Sequence, residues 1–167
     1  MFPGIQGGPI ESSIAAKAVA FAEAATDEFK DYAQRIVANA AVLAEALAGE
    51  GFRLCSGGTD NHLLLVDLRT FDADLTGKVA QDILDQAGIS LNKNTVPDDP
   101  RSPFVTSGVR IGTPAVTTQG MGEAEMREIA SLIARALRGR DDESIVAAVK
   151  AEAEVLCSRF TPYPELG

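Results

Sequence analysis

Apolar side chains recur every three to four positions along much of the chain, and this spacing places them on one face of a helix. The pattern is strongest over residues 28–49, where Thr26 stands at the N-cap position and glycines follow the last apolar residue. Thr76 and Gly88 bound another well-marked helix in the same way. The helices predicted by this spacing cover residues 10–25, 28–49, 77–87, 121–138 and 142–157.

Shorter apolar runs beyond the second helix have the pattern of strands. Residues 52–55 alternate between apolar and polar and predict a short strand. Residues 62–68 are almost continuously apolar, which is typical of a strand buried on both faces. Further short strands are predicted at 89–92 and 109–111. Between these two strands, residues 93–107 form a long irregular loop that contains three prolines.

These elements predict an α+β fold in which a small mixed or antiparallel sheet has helices packed on one side. The chain divides into a Gly-rich leader with two helices (residues 1–50) and a small α/β domain (residues 51–167). The two leader helices have no strands to rest on, and their alanine-rich faces allow another backbone to approach closely. We therefore expect the apolar surface of residues 10–47 to be covered by another portion of protein or by a second copy of the chain.

The composition excludes several classes of partner. The 167 residues carry 15 Lys and Arg against 24 Asp and Glu, and the formal net charge of −9 disfavours a nucleic acid or an anionic membrane surface. No run approaches the roughly 18 apolar residues of a membrane-spanning helix. Cys55 and Cys157 have no disulfide or zinc-site spacing, and we expect both to be small buried hydrophobic residues. Residues 1–10 lack the regions of a secretory signal, so we expect a cytoplasmic protein.

The proline-rich loop (residues 93–107) is the first candidate for chemistry. It carries amide, hydroxyl and backbone donors close to one aromatic ring. Long loops in a compact domain are often functional, and this mixture of groups suits a flat polar heterocycle or a carboxylate ligand. The alternative is a rigid surface loop that is stiffened by its prolines.

Arg110 lies inside a short apolar strand that has a glycine at each end. A buried guanidinium needs an anion, because an unpaired charge in the interior is costly. One solution is a bidentate grip on a ligand carboxylate. The other is an internal salt bridge with Asp67 or another acid, and the residues alone leave both open.

Four further residues carry weaker signals. Gly7 and Gly8 precede a helix, as in backbone segments that bind phosphate, although a plain loop has the same composition. His62, the only histidine, is either a general base or a structural residue at the start of a strand. Lys93 has the loop setting that best suits a Schiff base, but a solvent-exposed lysine is the commoner case.

Five segments in collinear order match one family of enzymes. They are FPGIQGGP (2–9), IAAKAVAF (14–21), SGGTDNH (56–62), NKNTVP (92–97) and RSPFVTSGVRIGTP (101–114). Together they resemble the C-terminal portion of serine hydroxymethyltransferase, a pyridoxal-phosphate enzyme of one-carbon metabolism. The resemblance extends over nearly the whole chain.

The resemblance implies a fold and a set of roles. The fold is the C-terminal domain of a fold-type I transferase, and the reaction converts serine and tetrahydrofolate to glycine and 5,10-methylenetetrahydrofolate. Arg110 then holds the carboxylate of serine or glycine, and Asn94 hydrogen-bonds the pteridine ring of the folate. Gly7 and Gly8 reach the phosphate of pyridoxal phosphate across a dimer interface. The folate-contacting residues of the loop are Ser102, Pro103 and Phe104.

The same resemblance indicates what this chain does not supply. The family's Schiff-base lysine follows a Thr-rich segment and a His, and residues 1–167 contain no such segment. The resemblance therefore assigns no catalytic residue here and implies a chain that is inactive alone and does not hold the cofactor stably. We expect a C-terminal piece, a truncated gene product or one half of a split enzyme that complements an N-terminal portion. The alternative is a non-catalytic module that binds folate or an amino acid.

Overall fold

The computed structural model describes residues 2–162. The chain forms two compact units, Met1–Gln34 and Arg35–Gly167, each of which is described by itself. None of the helices in the described range has the length and hydrophobicity that a bilayer crossing requires. In chain order the elements are α1 (Glu11–Ala24), α2 (Asp27–Gly49), β1 (Arg53–Leu54), β2 (Leu63–Asp67), a short 3-10 helix (Leu68–Thr70), α3 (Gly77–Gln86), β3 (Asn92–Asn94), β4 (Gly108–Gly112), α4 (Pro114–Thr118), α5 (Glu123–Arg138) and α6 (Glu143–Ser158).

The first unit contains α1 and the start of α2. Thr26 has the capping role predicted for it, because its Oγ1 accepts a hydrogen bond from the N–H of Phe29 at 3.2 Å. No residue of α1 is buried, and Val19 and Phe21 are 59% and 71% exposed. The apolar side of α1 is therefore open, and the identity of whatever covers it stays a prediction.

The second unit is built on a four-stranded antiparallel sheet with the strand order β1-β2-β4-β3. β4 pairs with β2 on one side and with β3 on the other. The register places Leu65 and Asn92 opposite Arg110, so these three residues form one row across the sheet. Because successive strand residues point to opposite faces, the whole row lies on a single face.

Helices cover the other face of the sheet. Leu64, Val66 and Val109 point toward them and are each 1% exposed. Burial of such side chains contributes about 1.5–3 kcal/mol each to stability. The predicted α+β fold, with helices on one side of a small antiparallel sheet, is confirmed. The fully buried helical partners include Leu43, Leu47, Leu84, Met126, Ile133, Leu137 and Val149.

The prediction that residues 62–68 are buried on both faces is wrong. Leu63 and Leu65 are only half-buried, because the helices that cover Leu64 and Val66 lie on the opposite side of the sheet. The sheet therefore has one open face, which we call the open face throughout. It carries the row of Leu65, Asn92 and Arg110.

Other predictions also need correction. The strand predicted at 89–92 lies at Asn92–Asn94, because pairing with β4 begins only at Asn92. No periodic pattern predicts α4, whose five residues are too few to show one. Both cysteines have free thiols. Cys55 is half-buried and Cys157 is exposed, so neither is the buried hydrophobic residue expected.

Candidate functional site

Arg110 lies near the middle of the open face and is exposed to solvent. Its Nη2 donates to Oδ1 of Asn92 on the neighbouring strand at 3.5 Å, a distance at the outer limit of a hydrogen bond. Within residues 2–162, no carboxylate lies close enough to Arg110 to form a salt bridge. The expectation of a buried arginine is therefore wrong, and its guanidinium keeps most of its donors available.

Asp67 is not the partner of Arg110, so the alternative of a salt bridge between them is excluded. Asp67 is 2% exposed and pairs instead with Arg69 at 2.7 Å and with Arg53 at 3.5 Å. The side-chain hydrogen bond from Arg69 lowers the pKa of Asp67, although burial acts in the opposite direction. Asp67 thus balances the charges of Arg53 and Arg69, and no acid within residues 2–162 does the same for Arg110.

A shallow groove of about 390 Å³ lies beside Arg110. His62, Ser90 and Asn92 contribute polar groups to its wall. The structure thus brings His62 and Arg110, which sequence analysis considered separately, to one groove. A small anion in this groove would be within reach of the arginine fork and of further hydrogen-bonding side chains.

Asn94 lies on β3 and shares the open face with Arg110, since β4 pairs Asn92 with Arg110 and Asn94 with Gly108. Its side chain is half-buried, and Nδ2 donates to the carbonyl oxygen of Thr95 at 2.7 Å. One amide hydrogen is therefore used locally. The remaining donor and the side-chain oxygen are the groups that a ligand could meet.

The tip of the proline-rich loop is exposed. Since β3 includes Asn94, the irregular part of the loop is residues 95–107. At its tip the carbonyl oxygen of Ser102 accepts hydrogen bonds from the N–H groups of Val105 and Thr106, which closes a tight turn. Phe104, in this turn, is 83% exposed. The predicted folate residues Ser102, Pro103 and Phe104 therefore form one solvent-facing turn, and their relation to a ligand stays a prediction.

Asp99 organises the loop, although no pattern in the sequence predicted this role. Its carboxylate accepts hydrogen bonds from Val96 N at 3.2 Å, Arg101 N at 3.0 Å, Ser107 N at 2.9 Å and Ser107 Oγ at 2.7 Å. Burial raises the pKa of Asp99, but the bonds from Ser107, Arg101 and Val96 outweigh it and lower the pKa to about 2. The Asp-Asp-Pro sequence at 98–100 is a turn signal that could have drawn attention to this residue.

A second set of bonds fastens the loop to neighbouring structure. The Arg101 guanidinium donates to the carbonyl oxygens of Ala73 at 2.7 Å and Leu75 at 3.0 Å. At the start of α3, the N–H of Gly77 donates to the carbonyl oxygen of Thr106 at 3.0 Å. This last bond satisfies a helix-end donor that would otherwise lack a partner. The loop is thus ordered despite its lack of regular structure.

Gly7 and Gly8 belong to the first unit and lie in the exposed segment before α1. A Cβ added at either glycine would meet nothing within 4 Å, so neither packs against other atoms of the described chain. Glu11 places a carboxylate in the first turn of α1, where it competes with an anion for the helix end. The first unit alone therefore does not form a phosphate cradle.

Lys93 lies half-buried on β3, and its backbone N–H donates to Oε1 of Gln81 at 2.8 Å. In neither unit do the described residues fit pyridoxal phosphate as a complete site. No cluster of metal-ligating side chains occurs within residues 2–162.

A comparison with protein families adds an independent finding. The family model described as serine hydroxymethyltransferase matches residues 1–133 of the 167. The matched range includes both glycines of the leader, the whole proline-rich loop and the strand that carries Arg110.

Proposed function

The chain belongs to the serine hydroxymethyltransferase family, and we propose that it is the C-terminal region of such an enzyme and positions its two substrates. The family's reaction, a transfer in one-carbon metabolism, takes a one-carbon unit from serine to tetrahydrofolate and leaves glycine. In this proposal the second unit orients the amino acid and the folate. It supplies none of the groups that break the bond at the α-carbon.

Arg110 is the proposed contact for the carboxylate of serine or glycine. The observation that carries this role is the lack of any acidic partner for Arg110 among the described residues, whereas Arg53 and Arg69 already share Asp67. A planar guanidinium matches a carboxylate through two parallel hydrogen bonds. Asn92, opposite Arg110 in the register, supports the orientation of the guanidinium.

Asn94 and the tip of the proline-rich loop are the proposed folate contacts. Asn94 offers an amide on the open face, which suits the donors and acceptors of a pteridine ring. Ser102, Pro103 and Phe104 offer a hydroxyl group and exposed apolar surface in one turn. Apolar walls with a few placed polar groups are typical of sites for flat heterocyclic ligands.

Pyridoxal phosphate is assigned to the complete enzyme and to no pocket of this chain. We keep Gly7 and Gly8 as proposed backbone contacts to its phosphate, in a site that another portion of the enzyme or a second copy of the chain completes. Their open surroundings support this, because a Cβ at either position meets nothing within 4 Å among the described residues. We also propose a homo-oligomer in the cytoplasm, and the two free cysteines are consistent with a reducing compartment.

The first experiment mixes the purified chain with pyridoxal phosphate, serine and tetrahydrofolate. We expect no turnover and no stable absorbance from a cofactor bound to lysine. Turnover of serine by the chain alone would contradict the proposal that it lacks the catalytic groups.

The second experiment tests ligand positioning with a matched pair of arginine variants. We expect ¹⁵N-labelled chain to show shifts in the β4 amides and the Arg110 side chain on titration with glycine. Arg110→Ala should abolish the shifts of the β4 amides, whereas Arg53→Ala should retain them because Arg53 is already paired with Asp67. Equal loss in both variants, or retention in both, would refute the carboxylate site.

Complementation of an N-terminal portion is a second candidate role, and the exposed α1 favours it. A helix of 14 residues without a buried position is unusual unless another surface covers it. We expect co-expression with the N-terminal portion of a family member to restore serine turnover. Co-purification without turnover would count against complementation.

A further inference from the structure

We infer that Asp99 is a positioning residue that sets the place of the folate-contacting turn without touching the ligand. This inference rests on the proposed function, because it concerns the loop that we assign to folate. It adds a residue that the resemblance did not assign.

The four hydrogen bonds of Asp99 reach the beginning, the middle and the end of the loop. Oδ2 accepts from the N–H groups of Val96 and Ser107, and Oδ1 accepts from the N–H of Arg101 and from Ser107 Oγ. Val96 and Ser107 are eleven positions apart in the sequence, and one oxygen holds both. The carboxylate therefore closes the loop at its base.

The backbone next to these contacts is strained. Asp98 has φ 52° and Thr106 has φ 60°, a region that side-chain-bearing residues rarely occupy. Each immediately precedes a residue of the hydrogen-bonded set, Asp99 or Ser107. Such conformations persist only where surrounding interactions fix them, and the carboxylate supplies those interactions here.

The turn at the tip depends on this base. Ser102, Pro103 and Phe104 are all exposed, so packing does not fix their position. Arg101, directly before them, has its N–H on Asp99 and its guanidinium on the carbonyl oxygens of Ala73 and Leu75. The position of the turn is thus fixed by the hydrogen bonds of Arg101 at its start, and these bonds use none of the exposed side chains at the tip.

The test compares Asp99→Asn with Asp98→Asn by amide hydrogen exchange in the free chain. An asparagine at 99 puts an NH₂ group or a weaker acceptor against N–H groups, so we expect the Val96 and Ser107 amides to exchange about tenfold faster. Amides of β2 should keep their rates. Asp98→Asn should match the parent chain, since the Asp98 side chain is exposed to solvent. Unchanged exchange at Val96 and Ser107 in Asp99→Asn would overturn the inference.

A second measurement concerns the ligand. We expect Asp99→Asn to weaken binding of 5-formyltetrahydrofolate about tenfold, while the glycine-induced shifts at Arg110 persist. A residue with a merely structural role would lower both responses together with the melting temperature. If Asp99→Asn does not fold, Ser107→Ala serves in its place for both measurements. It removes the 2.7 Å hydrogen bond from Ser107 Oγ to Asp99, together with the longer bond that Arg101 donates to Ser107 Oγ.

The outcomes separate the two proposals. If the parent chain binds no folate, the folate assignment fails for this chain, and hydrogen exchange still decides whether Asp99 holds the loop. If the parent chain binds folate and Asp99→Asn binds it equally well, the folate assignment stands and the positioning role of Asp99 is refuted.

Discussion

The side-chain amide of Asn39 in α2 donates to Oγ1 of Thr117 in α4 at 2.9 Å, across 78 positions of sequence. The same amide donates to the carbonyl oxygen of Met121 at 3.0 Å, and Oγ1 of Thr113 donates to the carbonyl oxygen of Ile36 at 2.9 Å. These bonds fix the segment that leaves β4 against α2. The strand that carries Arg110 is therefore anchored at the end where it leaves the sheet.

Replacement of Asn39 should destabilise the second unit. Asn39→Ala removes the donor of both hydrogen bonds, so Oγ1 of Thr117 and the carbonyl oxygen of Met121 lose this partner in a buried space. We expect a cost of about 1–3 kcal/mol. Urea denaturation followed by circular dichroism measures this loss. Glu45→Ala, at an exposed position of the same helix, is the control and should change the free energy of unfolding by less than about 0.5 kcal/mol. Equal stability of the two variants would show that the buried bonds contribute nothing.

Gly77 is required by close packing at the start of α3. A Cβ added there would overlap Oγ1 of Thr106 and the carbonyl oxygen of Gly108, which are held by the sheet and the loop. We expect Gly77→Ala to lower the free energy of unfolding by about 1–3 kcal/mol, as overpacking does. Gly49→Ala is the matched control, because an added Cβ meets nothing there and alanine favours a helix. A melting temperature for Gly77→Ala at or above that of Gly49→Ala would contradict this expectation.

Asp99 should make stability depend on pH in acid. Its pKa is about 2 in the folded chain against 3.8 for an unperturbed aspartate, so its contribution is complete above about pH 4 and is lost as the pH falls through 2. We expect Asp99→Asn to be less stable than the parent at pH 7 and to approach it near pH 2, in urea titrations at each pH. A stability difference that is constant from pH 7 to pH 2 would exclude this origin.

The two thiols should react at different rates. Burial, reinforced by the charge of Asp67, raises the pKa of the Cys55 thiol, whereas Cys157 is exposed on the last helix. Because the thiolate is the reactive form, we expect Cys157 to react with a maleimide several-fold faster at pH 7. Mass spectrometry of Cys157→Ser and Cys55→Ser, each with one remaining thiol, measures the two rates. A faster reaction at Cys55 would disagree with its half-buried setting.

Local patterns in the sequence predicted the long elements well. The helix predicted over 28–49 is α2 at Asp27–Gly49, since an apolar stripe sustained over several turns has few alternatives. Thr76 caps α3 as predicted, because its Oγ1 accepts from the N–H of Val79 at 3.1 Å. The helices and their caps depend on interactions between residues within about four positions of each other, and such interactions can be predicted from the sequence.

The wrong predictions concern strand bounds and burial, which depend on residues far apart in the sequence. Ile89 and Leu91 are apolar because they pack against the core, yet their backbone does not join the sheet, whose pairing starts at Asn92. Arg110 sits among apolar residues in the sequence but points to the open face, because side chains alternate along a strand. The Asp-Asp-Pro sequence marks a turn at Asp99, but the four donors that meet its carboxylate are brought together only when the loop folds. The resemblance identified the family, while the bonds that order the loop required the structure.

The outer strands of the sheet are its shortest. β1 has two residues and β3 has three, against five in each of the inner strands β2 and β4. Each edge therefore offers few free backbone groups to another chain, and Arg53 and Lys93 add positive charge along those edges. Growth of fibrils by strand addition would gain only two or three residues of pairing per copy. We therefore expect concentrated samples of the chain to remain free of cross-β aggregates.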